Sequence, residues 1–334
     1  MTSPYELDIA NQPQALLSLS KNTWPKGLES VFAREYSRIV ITGMGTSHFA
    51  GHSTWRTLMN HGFLAWWIDT SQLLDMPNVI NDETLLIVTS QSGRSGEIVA
   101  LLDQLRDSAC TIVGIVNDKA SPLTELAKVS VDMCVGDEAT VSTKSYLNSL
   151  VIHAELTERL LTGKGDNVRE SIESLSENLD VWLQSPNSLS LDALGLERAP
   201  NTIAIIGGGG QTATVLTGAL IIKEAAKVQA EAYLGGEFRH GPIELSGPRL
   251  TAIVIDDGNT ESDLRRLSQD LKDSGTAVAV INETNGLPPS SECWGLSAQF
   301  FATVALQRFS VELAYANDIT PGVFLFGHKI TEDV

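Results

Sequence analysis

Three serines follow a predicted strand at the point where a predicted helix begins. The apolar run TLLIVT at 84–89 indicates a buried strand, and Ser90, Ser92 and Ser95 come directly after it in the sequence SQSGRS. We call residues 90–95 the serine turn. Hydroxyl donors, unblocked backbone amides and the positive end of a helix together suit a phosphate monoester. An ordinary helix-capping turn with Ser95 as the cap is the alternative, because serine is common at helix starts.

A carboxylate and a histidine form the second candidate for chemistry. The run KEAAK at 223–227 lies on a helix expected over 212–229, and together with Glu231 just beyond that range it could be a solvated helical face of ion pairs. However, the following Gly-Gly-Glu segment and a proline interrupt the helix and place His240 on a constrained turn. Proton transfer at carbon needs a carboxylate, and ring opening needs a group that titrates near neutrality. Glu224 and His240 are therefore an acid/base candidate.

Each half of the chain also carries a glycine-rich loop after a strand, GMGTS at 43–47 and GGGGQT at 207–212. Such a loop at a helix start can bring backbone amides to the pyrophosphate of a dinucleotide. The fingerprint fails at its third glycine, where the sequence has His48 and Thr212. Asp69 could bind a ribose hydroxyl, so a dehydrogenase is an alternative. We reject it as the main interpretation.

The segment that corresponds to the serine turn in the second half has a different character. It reads IDDGNTES and contains Asp256 and Asp257. Two carboxylates would repel a phosphate. We therefore expect only the first half to bind one.

Short apolar runs alternate with longer segments of helical period, which is typical of parallel sheets with helices on both faces. The predicted fold is α/β, with two tandem domains, each a mostly parallel sheet in a three-layer αβα arrangement. Because both halves share the same plan, we infer an internal duplication. The predicted strands are 38–42, 64–68, 84–89, 111–116, 131–135, 202–206, 250–256 and 276–281. The predicted long helices are 144–163, 167–184, 212–229, 261–273 and 298–317. The predicted domains are 1–165 and 196–334, joined by a linker helix region at 166–195.

Composition excludes several classes of protein. The chain has 334 residues, of which 43% are hydrophobic and 19% charged, as expected for a soluble globular protein of about two domains. No apolar run approaches the roughly 18 residues that a membrane span requires. The formal net charge of −18 lacks the basic footprint of nucleic-acid binding. An anionic ligand would have to be held by local donors.

The cysteines and the N-terminus indicate a cytoplasmic protein. Cys110, Cys134 and Cys293 are odd in number, widely spaced and form no CxxC pair, so neither a disulfide framework nor a zinc knuckle is expected. The first residues lack a basic stretch followed by an apolar core, so secretion is not expected. His48 and His52 could share a metal at their i,i+4 spacing, but no further ligand cluster accompanies them. We expect no metal and no redox cofactor.

Several motifs together resemble the sugar isomerase (SIS) family. Within it, the sequence is similar to the isomerase half of glucosamine-6-phosphate synthase and to the SIS-type glucosamine-6-phosphate deaminases. The motifs are ELDIANQPQAL near the start, GMGTS, SQSG, STKSY at 142–146, KEAAKVQAEAYLGGEFRHGP at 223–242 and the tail FGHKITEDV at 326–334. SQSG is shared by many SIS proteins, whereas the segment from 223 and the near-terminal lysine are specific to this branch.

The resemblance implies a sugar-phosphate site. Glu224 would be the base that moves a proton between C2 and C1 of the open-chain sugar, and His240, from a neighbouring subunit, would open the pyranose ring. Lys329 would contact the sugar from a C-terminal tail, and its counterpart in the synthase can form a Schiff base. The residues implied to bind the substrate are Thr46, Ser47, Ser90, Gln91, Ser92 and Ser95 near the phosphate, and Thr140, Ser142 and Thr143 lining the sugar pocket.

Two positions depart from the synthase pattern. Ile221 stands where that pattern has a lysine, and Arg94 replaces an acidic residue. The sequence also begins at the SIS portion, so glutamine is not expected to be the nitrogen donor. We therefore expect an isomerising deaminase that takes glucosamine 6-phosphate to fructose 6-phosphate and ammonia.

Alternative activities would use the same residues. They are deamination of another amino-sugar phosphate, deglycation of a fructosamine 6-phosphate, and ketose/aldose phosphate isomerisation. A non-catalytic sugar-phosphate sensor is a further alternative, although a sensor has no need for Glu224, His240 and Lys329 together. The expected partner is a small-molecule sugar phosphate bound by a homodimer with His240 contributed across the interface, without nucleic acid or membrane.

Overall fold

The computed structural model describes residues 2–258, 261–282 and 296–331. In this part of the chain, nine strands form two sheets in which all neighbouring strands are parallel. The strands are β1 (Arg38–Gly43), β2 (Ala65–Trp67), β3 (Thr84–Thr89), β4 (Thr111–Val116), β5 (Val129–Asp132), β6 (Thr202–Gly207), β7 (Gln229–Leu234), β8 (Thr251–Ile255) and β9 (Ala277–Ile281). The α-helices are α1 (Pro4–Ala10), α2 (Gln12–Lys21), α3 (Leu28–Phe32), α4 (Gly45–Ala50), α5 (His52–Asn60), α6 (Thr70–Leu74), α7 (Gly96–Gln104), α8 (Pro122–Leu126), α9 (Lys144–Thr162), α10 (Asp166–Gln184), α11 (Thr212–Ala226), α12 (Gly235–Arg239), α13 (Glu261–Asp273) and α14 (Leu296–Ala316).

The first sheet has the strand order β2-β1-β3-β4-β5. Every residue of β3 and β4 is buried, as expected for strands covered on both faces. One core of the sheet packs Val40, Leu86 and Val88 with Ile98 and Leu101 of α7. Because full burial of such a side chain stabilises the fold by about 1.5–3 kcal/mol, this core holds α7 firmly on the sheet.

The second sheet has the strand order β7-β6-β8-β9. The order matches the first sheet when β6, β7, β8 and β9 are placed on β1, β2, β3 and β4. Its core packs Ile206 and Val254 with Leu264 and Leu267 of α13. The predicted α/β fold with two parallel sheets is confirmed, and the common strand order supports the inferred duplication.

One predicted helix is too long. The helix expected over 212–229 ends at Ala226, because Lys227 adopts a left-handed conformation with φ of 57°. The residues that follow form β7, which pairs with β6 along its whole length. Glu231 therefore lies on a strand and not on the helix of Glu224. The alanine-rich sequence favours a helix, but strand pairing overrides that propensity. The other predicted strands and long helices differ from the observed bounds by at most three residues at either end.

The chain divides into two compact units that are interleaved along the sequence. The first-sheet unit comprises Gln12–Glu138, Lys144–Ser176 and Phe326–Val334. The second-sheet unit comprises Met1–Asn11, Ala139–Thr143 and Glu177–Leu325. The predicted boundaries are linear, whereas α1 belongs to the unit of the second sheet. There Tyr5 is fully buried, and its hydroxyl lies 3.1 Å from Ser310 Oγ of α14.

Candidate active site

The serine turn leaves the first sheet beside the glycine-rich loop GMGTS. The neighbouring strands β1 and β3 pair in register as far as Gly43 and Thr89, so both segments emerge at the same edge. Thr46 and Ser47 lie in α4, which begins at Gly45 directly after β1. A Cβ on Gly43 would lie only 2.7 Å from the Thr89 carbonyl oxygen, so glycine is needed for this close approach. Ligands of open α/β sheets bind at this edge.

Two hydroxyls maintain the conformation of the serine turn. Ser90 Oγ accepts a hydrogen bond from the Gly93 amide at 3.0 Å, and Ser92 Oγ accepts one from the Arg94 amide at 3.2 Å. A hydroxyl that accepts keeps its own O–H as a donor, which a phosphate requires. Ser95 occupies the N-cap position of α7, but its side chain makes no capping hydrogen bond. Helix capping therefore does not account for the serine at this position.

Gly93 is required by both conformation and space. Its φ is +62°, a region that favours glycine. A Cβ there would lie 2.3 Å from Ser121 Oγ and 3.1 Å from Val116 Cγ2. The turn can therefore keep this shape only with glycine at its fourth position.

Arg94 braces the turn against the loop after β4. Its Nε lies 2.8 Å from Asp118 Oδ2, and its terminal nitrogen donates to the Ala120 carbonyl oxygen at 2.6 Å. The Ala120 amide and the Arg94 guanidinium hold the pKa of Asp118 below its ordinary value. Since both side chains are partly exposed, solvent screens the ion pair and makes its contribution to stability small. The guanidinium is thus engaged with a neighbouring loop of the same unit.

The C-terminal tail, which we define as residues 326–334, belongs to the same unit. Lys329 Nζ lies 3.0 Å from Glu138 Oε2. The Thr331 carbonyl oxygen accepts a hydrogen bond from the amide of Gly96, the first residue of α7, at 2.9 Å. Sequence reasoning missed Glu138, and the only available signal was its position just before the STKSY motif.

Glu224 lies half-buried in the last turn of α11. One turn earlier, Ile221 is fully buried, so the position where the synthase pattern has a lysine belongs to the core. Lys227 Nζ donates to the carbonyl oxygens of Glu224 and Val323. Burial lowers the pKa of Lys227, and the Glu224 carboxylate partly opposes this effect. The end of the helix is thereby fixed to the chain that leads into the tail.

His240 follows α12 on a sharp turn, as the sequence predicts. Its amide donates to the Glu237 carbonyl oxygen at 3.0 Å. The next residue, Gly241, has φ of +132°, and Pro242 begins a short 3₁₀-helix. The side chain of His240 is exposed.

The substrate-binding residues expected near the sugar lie in a short segment of the second-sheet unit. This segment, Ala139–Thr143, leads into α9. Thr143 is fully buried, whereas Thr140 and Ser142 are half-buried. A Cβ on Gly322 would lie 2.9 Å from Thr140 Oγ1, so the segment packs closely on the chain that precedes the tail.

The candidate residues fall into two groups. The first-sheet unit contains the phosphate-binding candidates and the tail lysine, namely Thr46, Ser47, Ser90, Gln91, Ser92, Ser95 and Lys329. The second-sheet unit contains the acid/base candidates and the sugar-pocket candidates, namely Glu224, His240, Thr140, Ser142 and Thr143. Each group is thus carried by its own compact unit.

Buried histidines lie near the edge of the first sheet that carries the serine turn. His48 stacks on Trp67 with ring centroids 4.1 Å apart, and His52 meets the same ring edge-on. His153 is buried in α9, with Nε2 2.9 Å from Thr89 Oγ1. Burial lowers the pKa of His48 and of His52 to about 4 and that of His153 to about 3. These imidazoles are neutral at physiological pH.

The corresponding edge of the second sheet is filled by its own side chains. Asp257 is buried, and its Oδ2 accepts a hydrogen bond from Gln211 Nε2 at 3.2 Å. Gln211 in turn accepts one from Thr214 Oγ1 at 2.9 Å. Asp256, also buried, lies 3.8 Å from the Nε of Arg265. The carboxylates expected to exclude phosphate therefore lie inside a hydrogen-bonded network.

The remaining side chains provide few metal ligands. Within residues 2–258, 261–282 and 296–331, no group of three or more His, Cys, Asp or Glu residues could hold a metal ion. Cys110 and Cys134 are free thiols, and burial raises the pKa of Cys134 to about 11. Cys293 lies outside the described residues. Across the same part of the chain, no helix combines the length and apolarity that a bilayer crossing demands.

Comparisons with known proteins agree with the fold. The chain is 32% identical over 257 residues to the glutamine–fructose-6-phosphate aminotransferase (isomerizing) of Pyrococcus horikoshii, covering 74% of this chain and 42% of that protein. The chain thus spans less than half the length of the curated relatives it matches. The solved glucosamine-6-phosphate deaminase of Thermotoga maritima superposes with a TM-score of 0.78 at 20% identity, covering 96% of this chain and 97% of that one. The tagatose-6-phosphate ketose/aldose isomerase of Escherichia coli superposes with a TM-score of 0.79 at 20% identity, covering 98% and 97%.

A family model settles the classification. The model described as the SIS domain matches residues 33–157 and 196–294, which contain both glycine-rich loops, the serine turn, Glu224 and His240. Together the matched segments make up more than half of the chain. The chain therefore belongs to the SIS domain family.

Proposed function

We propose that this chain is a sugar-phosphate isomerase that acts on an amino sugar, converting glucosamine 6-phosphate and water to fructose 6-phosphate and ammonia. The observation that carries the proposal is the serine turn. It presents hydroxyls and the start of α7 at the carboxyl edge of a parallel sheet, and Ser95 is not used as a cap. In a chain of net charge −18, such a local donor set is what would hold a phosphate.

The proposal assigns a proton transfer to Glu224. Its carboxylate takes the proton from C2 of the open-chain amino sugar, the freed electron pair forms a C1=C2 double bond, and the aldehyde oxygen takes up a proton, which gives an enolamine. The same carboxylate returns its proton to C1 while the amino nitrogen releases one to solvent, which leaves a ketimine at C2. Water adds to the ketimine carbon, and ammonia leaves as the C2 carbonyl forms. Relay of a proton by one positioned carboxylate is ordinary general acid/base catalysis.

His240 and Lys329 have separate tasks in this proposal. His240 moves the proton that opens the pyranose ring, and its exposure on a turn suits a residue that serves a neighbouring subunit of a homodimer. Lys329 contacts the sugar from the tail. Thr140, Ser142 and Thr143 line the sugar pocket, and Thr46 and Ser47 assist the serine turn in holding the phosphate.

Exchange of Glu224 for glutamine tests the proposal. Purified chain is supplied with glucosamine 6-phosphate, and release of ammonia and fructose 6-phosphate is measured. We expect Glu224→Gln to lower turnover by at least about a hundredfold while sugar-phosphate affinity changes little, because the amide cannot carry the proton. Glu231→Gln, an exposed carboxylate on β7, is the matched control and should retain full turnover.

A second candidate is ketose/aldose isomerisation of a sugar phosphate that has no amino group. The observation that favours it is the fully buried Ile221, which leaves no lysine at a position where the synthase pattern has one. Glucose 6-phosphate formation from fructose 6-phosphate is therefore measured alongside, as is ammonia release from galactosamine 6-phosphate and from a fructosamine 6-phosphate. Absence of ammonia from every amino sugar would contradict the deaminase. Binding without any turnover would indicate a sensor.

A further inference from the structure

The described part of the C-terminal tail contacts the rest of its unit through Lys329 and Thr331. Lys329 Nζ lies 3.0 Å from Glu138 Oε2, and Thr331 accepts a hydrogen bond from the Gly96 amide. Gly96 is the residue that follows the serine turn and begins α7. Glu138 comes shortly before α9 begins. The tail is therefore fastened where two helices of the first-sheet unit start.

Glu138 is held in place independently of the tail. Its Oε1 accepts a hydrogen bond from the Ser145 amide at 3.0 Å, and its Oε2 accepts one from Ser145 Oγ at 2.6 Å. Ser145 is the second residue of α9, so the carboxylate lies at the positive end of a helix of 19 residues. Amide donors and the helix dipole both stabilise a negative charge there. Glu138 is thus oriented before Lys329 binds it.

Burial makes the contact with Lys329 selective. The Glu138 side chain is 1% exposed, and that of Lys329 is 22% exposed. A buried carboxylate is costly unless charge and hydrogen bonds compensate it, and loss of one partner of such a pair destabilises strongly. A neutral residue at either position would remove the attraction between the two charges. The tail is therefore recognised through its one ammonium group as well as through its backbone.

From this geometry we propose that Glu138 is the positioning residue for Lys329. It docks the tail beside the serine turn and fixes the ammonium group near the place where the sugar phosphate binds. Glu138 acts through Lys329 and does not touch the reacting atoms. The inference rests on the proposed function for the sugar contact of Lys329, whereas the docking itself is a property of the chain without substrate.

The variant Glu138→Gln in the full chain tests the inference. Glutamine keeps one oxygen to accept from the Ser145 amide but removes the negative charge. Hydrogen exchange at the Gly96 amide and trypsin cleavage after Lys329 report docking without any need for turnover. We expect both to accelerate by about tenfold, because the amide opens whenever the tail leaves. We also expect kcat for glucosamine 6-phosphate to fall by about tenfold with little change in KM, since a misplaced ammonium affects the reacting complex.

Matched variants separate positioning from a general loss of stability. Lys329→Met leaves Glu138 bound to Ser145 and should accelerate Gly96 exchange to the same extent. The double variant should be no worse than either single variant, because both remove one shared contact. Asp132→Asn breaks a surface ion pair of the same unit, Lys119 to Asp132 at 2.8 Å, and should leave Gly96 exchange unchanged.

The outcomes distinguish this inference from the proposed function. Unchanged Gly96 exchange in Glu138→Gln, or in Lys329→Met if the first variant does not fold, overturns the positioning role even when the native chain turns over substrate. Faster exchange in both variants without turnover in the native chain overturns the proposed function and leaves the docking role of Glu138 in place. Additive effects in the double variant would also contradict a shared contact.

Discussion

The carboxyl edges of the two sheets have the same strand order and opposite chemistry. In the first sheet, β3 runs into a turn of three serines with donors at a helix start. In the second sheet, β8 is followed by Asp256 and Asp257, and the Asp257 carboxylate accepts a hydrogen bond from Gln211. The two sheets therefore share a backbone arrangement at this edge, and the side chains that follow the central strand determine whether the edge can bind an anion.

The strongest test of this difference introduces a carboxylate, as found at the second edge, into the first edge. Ser92→Asp places a carboxylate in the serine turn, and we expect glucosamine 6-phosphate affinity to fall by about a thousandfold, because like charges repel strongly at short range. Calorimetric titration measures the affinity. Ser92→Ala is the control for loss of the hydroxyl alone and should cost about tenfold. Equal losses in the two variants would mean that no phosphate lies beside Ser92.

The second edge offers the reciprocal test. Asp257→Asn removes the charge from the buried network with Gln211, and we expect the free energy of unfolding to fall by about 2 kcal/mol because one of the two buried carboxylate oxygens becomes an NH2 donor. Urea denaturation measures the change. Asp273→Asn is the matched control, since Asp273 also accepts from a glutamine, Gln269, at 2.8 Å but on the surface. Its expected effect is within about 0.5 kcal/mol.

Asp257→Asn should also fail to create a phosphate site. The amide introduced by this substitution would remain enclosed by Gln211, and Asp256 would keep its charge. Tight binding of inorganic phosphate at this edge in the variant would show that charge alone separates the two edges. An effect on stability no larger than that of Asp273→Asn would show that the buried network does not stabilise the second sheet.

The features that sequence predicts well are local. The serine turn and the strands before it are recognisable because apolar runs, hydroxyls and glycines lie within a few residues of one another. β7 escapes prediction because its alanines favour a helix in isolation, and only its pairing with β6 makes it a strand. Strand pairing between distant segments cannot be predicted from the sequence of either segment alone.

The tail contact illustrates the same limit at the candidate site. Lys329 and Glu138 are 191 residues apart, and nothing in the spacing of either one indicates the other. Lys329 could be singled out only through resemblance to a family, and the only signal for Glu138 was its position just before the STKSY motif. The interleaving of the two units has the same origin, because the tertiary packing of α1 and the tail cannot be inferred from their own sequences.

Acid sensitivity provides a third and smaller test of the difference between the two units. The first-sheet unit contains the buried neutral histidines His48, His52 and His153, whereas the histidine described in the second-sheet unit, His240, is exposed. Burial lowers the pKa of His153 to about 3. The unfolded chain takes up a proton below about pH 6.5 while the folded chain does not. The contribution to stability is therefore complete above that pH and is lost as the pH falls towards 3.

The substitution His153→Gln isolates this effect. Between about pH 7.5 and pH 5.5, the variant should lose about 1.4 kcal/mol less of its free energy of unfolding than the native chain, because one proton-linked group has been removed. Urea denaturation at the two pH values measures the difference. His61→Gln, at an exposed histidine of the same unit, is the matched control for loss of an imidazole at the surface. An identical pH dependence in His153→Gln and the native chain would mean that His153 takes up its proton equally in the folded and unfolded chains, and the contrast between the two units would then rest on the carboxyl edges alone.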